Sequence, residues 1–369
     1  MIVIIGAGVI GLAIASELSK KNREVCVIER NGSFGRETSS RNSGTVHAGI
    51  YYPPGSLKAE TCVAGNSQLY ELCEHWNIPH RKTGKLIVAK EKNEIQELEL
   101  LLKQGRENGA TGLTMVSQKQ LNSIEPEIKA TAAIHSSSSG IIDPCALMSY
   151  FLAKAKENGA EIFYRCNVID VEKTPGGYEL MVIESPTAGS IVRTVLRADI
   201  VINCAGLDSD KIAGSAGIDD LSYRQYYCKG EYFSVNGQKK KLVKRLIYPL
   251  PESDNRGLGI HIVLNMEGKM LLGPDAVYVN KIDYNIDESQ REKFYQSAKE
   301  FLPFIEPDDL NPEMAGIRPK LQGPGEGFRD FIIKEESDRG LPGFINLIGI
   351  ESPGLTSSPA IAKYVAKMI

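Results

Sequence analysis

The chain has 369 residues, a formal net charge of −3 and a hydrophobic fraction of 42%. That length suits about two domains around sizeable cores, and the nearly balanced charge gives no basis for nucleic-acid binding. Seven scattered cysteines without a Cys-x-x-Cys pair point to free thiols in a reducing compartment and away from zinc or an iron–sulfur site.

No apolar run approaches the roughly 20 residues of a membrane-spanning helix. The apolar N-terminus lacks the basic segment of a signal peptide, so the expectation is a cytoplasmic protein. Lys239-Lys240-Lys241, Lys244 and Arg245 leave peripheral contact with anionic lipid open, a solvated charged face being the plainer reading.

In chain order, Ile2-Val3-Ile4-Ile5 is an unbroken β-branched run that suits a strand buried on both faces. It leads into Gly6-Ala7-Gly8-Val9-Ile10-Gly11, a Gly-x-Gly-x-x-Gly, and then into a helical pattern over 12–18. A second strand over 24–28 ends at Glu29, eighteen residues after Gly11. Gly6 permits the tight turn, Gly8 admits a pyrophosphate to the backbone, and Gly11 lets helix and strand pack closely. The helix start at Val9 and Ile10 offers free N–H groups and a positive dipole end to phosphates. Glu29 is placed to accept hydrogen bonds from a ribose diol, and an acid there disfavours the 2′-phosphate of NADP. FAD and NAD remain; the motif does not separate them.

The loop Ser39-Ser40-Arg41-Asn42-Ser43-Gly44 is rich in donors and suits a second set of phosphate contacts. It is followed by Thr45-Val46-His47-Ala48-Gly49-Ile50-Tyr51-Tyr52 and by Gly55-Ser56-Leu57-Lys58-Ala59. Together with the dinucleotide motif ending in Glu29-Arg30, these stretches resemble the FAD-dependent D-amino-acid-oxidase-like superfamily, within it the L-2-hydroxyglutarate dehydrogenase/oxidase branch. The resemblance runs over nearly the whole chain. It implies FAD as cofactor, contacts from Arg30 and the 39–44 loop, and His47 beside the flavin, with covalent attachment to His47 left open.

Farther on, the pattern reads as one or two helices over 56–76 that carry Lys58 near their start, facing either flavin or solvent. A strand follows at Lys85-Leu86-Ile87-Val88-Ala89, then an amphipathic helix over 94–108 and a short helix opening at Ser117. Ala132-Ala133-Ile134-His135 is a strand, and Asp143-Pro144 caps a helix over 145–158. A parallel strand at Glu161-Ile162-Phe163-Tyr164 follows. Val168 opens a β-meander completed by 178–183 and 190–196; the resemblance puts the Val168 backbone against adenine. The strand at 199–203 ends in Cys204-Ala205-Gly206, small residues that let backbone approach a dinucleotide, and the resemblance assigns Ala205 and Gly206 to FAD.

From 223 to 333 alternating strands predict an antiparallel sheet roofing the flavin, with a helix over 289–301. His261, after Gly257-Leu258-Gly259-Ile260, is expected to point into the cleft. The resemblance places Arg318, in Gly316-Ile317-Arg318-Pro319-Lys320, where a guanidinium fork clamps a substrate carboxylate, with Tyr248, Lys320 and Tyr51 in support. A last strand through Gly349 and a helix opening at Gly354-Leu355-Thr356 return to the flavin.

The fold class is thus α/β: a Rossmann-like FAD-binding domain with a β-meander (1–80, 140–220, 330–369) and an antiparallel-sheet substrate-binding domain (81–139, 221–329). The implied reaction is oxidation of an L-2-hydroxy acid, L-2-hydroxyglutarate foremost, with His261 as base and His47 packed by the flavin, or the roles reversed. Oxygen, a quinone or an electron-transfer protein would reoxidise the cofactor. The rivals are an amine or amino-acid oxidase, a glycerol-3-phosphate dehydrogenase, and a flavin-binding accessory protein without turnover.

Overall fold

The structure, a computed structural model, describes residues 1–21, 23–184, 192–251 and 259–369. Ser190 and Ile191 of the expected meander, and Gly257 and Leu258 ahead of His261, lie outside the described residues.

A six-stranded sheet is built from Ile2–Ile5, Val25–Glu29, Glu161–Tyr164, Ile200–Asn203, Ile332–Glu336 and Leu341–Ile348. Its pairings are parallel except that of Ile332–Glu336 with Leu341–Ile348. Both faces are covered, which is why the first two strands are wholly apolar up to Glu29. Ile2 and Ile4 point to one core, against the helices Val9–Ser19, Leu57–Trp76, Pro144–Glu157 and Gly354–Val365. Val3 and Ile5 point to the other, against the meander Cys166–Thr174, Gly177–Glu184 and Val192–Ala198.

A nine-stranded sheet takes its strands from the second set of segments: Lys85–Ala89, Leu113–Ser117, Ala132–Ser136, Tyr226–Val235, Leu246–Pro249, Ile262–Leu264, Met270–Leu272, Val277–Val279 and Leu310–Lys320. It has its own core, shared with Ile95–Glu107 and Arg291–Lys299. The sheet is not purely antiparallel as expected, because Leu246–Pro249 runs parallel to Lys85–Ala89. The eleven-residue strand Leu310–Lys320 escapes sequence reading because Pro312, Gly316 and Pro319 interrupt its pattern. Its pairing is to Tyr226–Val235, with a bulge near Pro312.

Local chemistry sets the helix ends. The Ser56 hydroxyl accepts from Ala59 N–H at 3.2 Å, and Asn77 closes the same helix in the left-handed region with φ 54°. Asp143 accepts from the Cys145 and Ala146 amides at 2.8 and 3.0 Å. The helix Leu57–Trp76 packs directly on Gly354–Val365: a Cβ on Gly65 would lie 2.3 Å from the Thr356 carbonyl oxygen. Gly65→Ala is therefore expected to destabilise the protein by about 1–3 kcal/mol or more, read as a fall in the thermal midpoint.

Candidate active site

The turn after the first strand is as tight as its glycines require. Gly6 has φ +103°, and a Cβ there would meet the Cys204 carbonyl oxygen at 2.4 Å. A Cβ on Gly11 would meet the Gly6 carbonyl oxygen at 2.0 Å, so the third glycine is needed for helix–strand contact. Gly8 caps the helix Val9–Ser19 without a side chain, and no acid occupies its first turn. The Val9 amide donates to Ser39 Oγ at 3.0 Å, which draws the 39–44 loop over the helix start. Glu29 accepts from the Ala7 amide at 2.8 Å and the Asn31 amide at 2.7 Å, so the acid is oriented by the loop it serves.

These groups open onto a cavity of about 1020 Å³ lined by residues of both sheets. Gly6, Gly8, Val9, Ile10, Glu29, Val168, Ala205 and Gly206 line it from the six-stranded sheet and meander. His47, Tyr51, Tyr248, His261, Arg318 and Lys320 line it farther along, with Gly354 and Leu355 at a second helix start. Arg41 Nε and the Tyr51 hydroxyl, buried polar atoms of residues on its wall, have no hydrogen-bond partner among the described residues. A glycine-walled slot, two helix starts, a terminal acid and orphaned polar groups fit a long dinucleotide.

Some expected contacts lie elsewhere. Gly11, Ser40, Gly44, Gly349 and Thr356 do not line the cavity. Ser40 is exposed and its hydroxyl donates to the Glu37 carbonyl. Gly44 closes a turn, its amide donating to Asn42 Oδ1 at 2.9 Å, while Asn42 Nδ2 donates to the Ser39 carbonyl at 2.7 Å. Gly349 donates to Gln225 Oε1 at 2.8 Å. Thr356 is fully buried, and its hydroxyl accepts from the His47 amide at 3.0 Å. Arg30 lines the cavity but is tied into ion pairs with Glu37 and Asp208.

At the substrate end, the Arg318 guanidinium is held by backbone carbonyls alone. Nε donates to Cys228 O at 3.3 Å, and Nη2 to Lys229 O at 3.1 Å and to Asp275 O. Nη1 has no partner among the described residues. Lys320 is not a free helper: Glu351 lies 3.7 Å from it and 3.0 Å from Lys58, all three side chains being buried. Of its two expected settings, Lys58 takes the cavity side: it is buried, lines the same cavity and pairs there with Glu351. Burial pushes the Glu351 carboxyl up, but Lys58, Lys320 and, more weakly, Arg318 hold it below the ordinary glutamate value.

His261 stacks on Tyr248, ring centres 3.7 Å apart. Its Nδ1 lies 2.8 Å from the Gly259 carbonyl. A carbonyl only accepts, so Nδ1 carries the proton and Nε2 keeps its lone pair. Burial pushes the imidazole down to about 3, helped by Lys85 and Arg318. His47 is likewise held well below its ordinary value by burial, then by Lys85 and His261. Its Nε2 lies 3.3 Å from Ser352 Oγ and its Nδ1 3.4 Å from Lys85 Nζ. Sequence reading passed over Lys85, Glu351 and Ser352 as site residues: each is an ordinary residue of its own strand or turn until the sheets close.

Residues 1–368 match the family described as FAD dependent oxidoreductase. The chain belongs to that family. A mitochondrial L-2-hydroxyglutarate dehydrogenase of Arabidopsis thaliana is 38% identical over 99% of this chain and 82% of its own length. A glycerol 3-phosphate dehydrogenase of Caloramator mitchellensis is 32% identical over 100% of this chain and 73% of its own. Among solved structures, an L-alpha-glycerophosphate oxidase from Mycoplasma pneumoniae with FAD bound superposes with a TM-score of 0.84 at 26% identity, covering 100% of this chain and 94% of that one. The dinucleotide is FAD, and this member of the FAD dependent oxidoreductase family is an enzyme.

Glu351→Gln leaves two buried lysines facing a neutral amide. It is expected to cost about 3–5 kcal/mol at pH 7, read by denaturant unfolding. The Glu351 value is depressed on folding, so its contribution is full above the unfolded value and is lost as pH falls through the folded one. Wild type and variant should begin to converge as pH falls past the ordinary glutamate value and meet only below the depressed folded one.

Proposed function

We propose that the protein oxidises an L-2-hydroxy acid, L-2-hydroxyglutarate first among them, to the 2-oxo acid, and passes the electrons to oxygen, a quinone or an electron-transfer protein. The observation that carries this is the pairing, on one cavity wall, of a carboxylate clamp with an unprotonated imidazole nitrogen. The Arg318 fork is fixed by three carbonyls with Nη1 to spare, a geometry suited to a carboxylate. The His261 tautomer is fixed by Gly259 with Nε2 as acceptor. The similarity to hydroxyglutarate dehydrogenases supports the substrate class.

When bound, FAD supplies the acceptor for the two electrons leaving the substrate carbon. The chain does the rest. Arg318 holds the carboxylate, and His261 Nε2 takes the hydroxyl proton. The apolar burial that lowers both histidines keeps them neutral at pH 7 and excludes water. A base with so low a value is weak in the empty site; the substrate carboxylate beside it raises its proton affinity on binding.

A second reading, glycerol 3-phosphate as substrate, is favoured by the Caloramator relative. Against it, Lys58 and Lys320, two lysines of the cavity wall, are committed to Glu351. Anaerobic titration of the FAD-loaded protein decides. L-2-Hydroxyglutarate should bleach the oxidised flavin band; bleaching by glycerol 3-phosphate or by amino acids alone would transfer the case to those chemistries. His261→Ala should retain FAD and lose about 10²–10⁴-fold in the rate of flavin reduction, measured by stopped flow.

A further inference from the structure

Lys85 opens the strand Lys85–Ala89, every residue of which is buried, and its own exposure is 0%. Among the described residues its amine has one polar partner, His47 Nδ1 at 3.4 Å. The rings of Tyr248 and Tyr51 lie 4.1 and 5.2 Å from it. The titratable groups facing it are His47, Cys62 from the helix Leu57–Trp76, and the phenols of Tyr51 and Tyr248, with His261 stacked behind Tyr248. None is a carboxylate. Aromatic faces compensate a buried ammonium only in part, so this lysine is retained at a cost in stability. It does not line the cavity and can reach a ligand only through His47.

The two forms of Lys85 constrain that imidazole differently. An ammonium has three donors and no acceptor; facing it, Nδ1 must accept, and the ring proton sits on Nε2. A neutral amine has both a lone pair and N–H donors, so it accepts from Nδ1–H or donates to a bare Nδ1, and the tautomer is released. We propose that Lys85 is a positioning residue that decides which ring nitrogen of His47 carries the proton, and so whether His47 meets a bound hydroxyl as donor or as acceptor.

The Gly259 carbonyl fixes His261 as an acceptor whatever the pH. With Lys85 charged, the two histidines are complementary: a substrate hydroxyl oxygen that takes the place of Ser352 Oγ, 3.3 Å from His47 Nε2, accepts from Nε2–H, and the hydroxyl hydrogen is given to His261 Nε2. With Lys85 neutral, the tautomer with a bare Nε2 is also populated; in it two acceptors compete for one hydrogen, and that share of the protein loses the orientation. Burial pushes Lys85 down to about 7, which places the change of tautomer in the neutral range. An anionic substrate entering the cavity favours the charged form, and so favours the productive tautomer. The consequence for turnover rests on the hydroxy-acid reading above; the control of the tautomer does not.

The test is ¹⁵N NMR of the FAD-loaded protein labelled at histidine. With five histidines in the chain, each signal is assigned by a single His→Gln change. In wild type, His47 Nδ1 should be acceptor-type below neutrality and take on Nδ1–H character as pH rises through about 7. Lys85→Arg should hold Nδ1 as acceptor throughout, and Lys85→Met should abolish the pH dependence. In Lys85→Met, kcat should fall about tenfold with KM nearly unchanged, and the alkaline limb of the kcat profile should vanish. A His47 tautomer that is the same in wild type at every pH overturns the proposal, even if the variants fail to fold. A tautomer that follows Lys85 in a protein no hydroxy acid reduces would keep the proposal and sink the hydroxy-acid reading.

Discussion

Burial without a counter-carboxylate is the constraint on which the active end of this molecule depends. His47, Lys85, Tyr248 and His261 form one contiguous cluster, stacked or within hydrogen-bond reach of one another. Desolvation dominates every titratable group in it. Were an aspartate inserted there, the imidazoles would be held as cations and would have no lone pair to offer. The neutral histidines are thus a consequence of packing rather than of a charge partner.

A few residues away the opposite rule applies. Lys58, Lys320 and Glu351 are also buried, yet they form a compact ion-paired set, and Arg318 adds a further cation beside it. The carboxylate keeps two lysines tolerable in the interior, and one formal positive charge from that set plus the guanidinium remains. The residual field at this end of the cavity is positive and attracts an anion, while the two imidazoles next to it are neutral. Paired charges and unpaired, desolvated groups are separated by a few side chains.

The backbone makes this juxtaposition possible through close contacts. Gly6, Gly11 and Cys204 bring the first strand, first helix and Ile200–Asn203 together at distances that exclude a Cβ. Gly65 does the same for two helices, and the second of them carries Thr356, which holds the His47 amide. His47 is therefore fixed at three points of its structure: Thr356 at its amide, Asn66 at its carbonyl, and Lys85 and Ser352 at its ring. Ligands of open α/β sheets collect at the carboxyl ends of the parallel strands. Here the second sheet lies across that edge and turns a groove into a deep cleft between the two sheets.

The nucleotide end was legible because its information is local. Strand, glycines, helix and terminal acid occupy the first 29 residues, and each has a role that backbone geometry demands of that residue type. Arg318 was legible only through family resemblance, since its strand is masked by Pro312 and Pro319. Ser40, Gly44, Gly349 and Thr356 illustrate the limit of motif reading. They lie in the right stretches, but a one-residue alternation or a turn directs them to the backbone rather than to the cavity. Lys85 was beyond reach altogether. A lysine at the head of an apolar strand reads as a solvent-facing end, and only the pairing of Lys85–Ala89 with Ala132–Ser136 and Leu246–Pro249 buries it beneath two tyrosines and a histidine. The sequence by itself determined the cofactor class and the α/β framework, because these follow from short-range steric and hydrogen-bonding requirements. The tertiary structure alone decided which titratable groups are desolvated and which are paired, because burial and counter-charge are supplied by segments far apart in the chain.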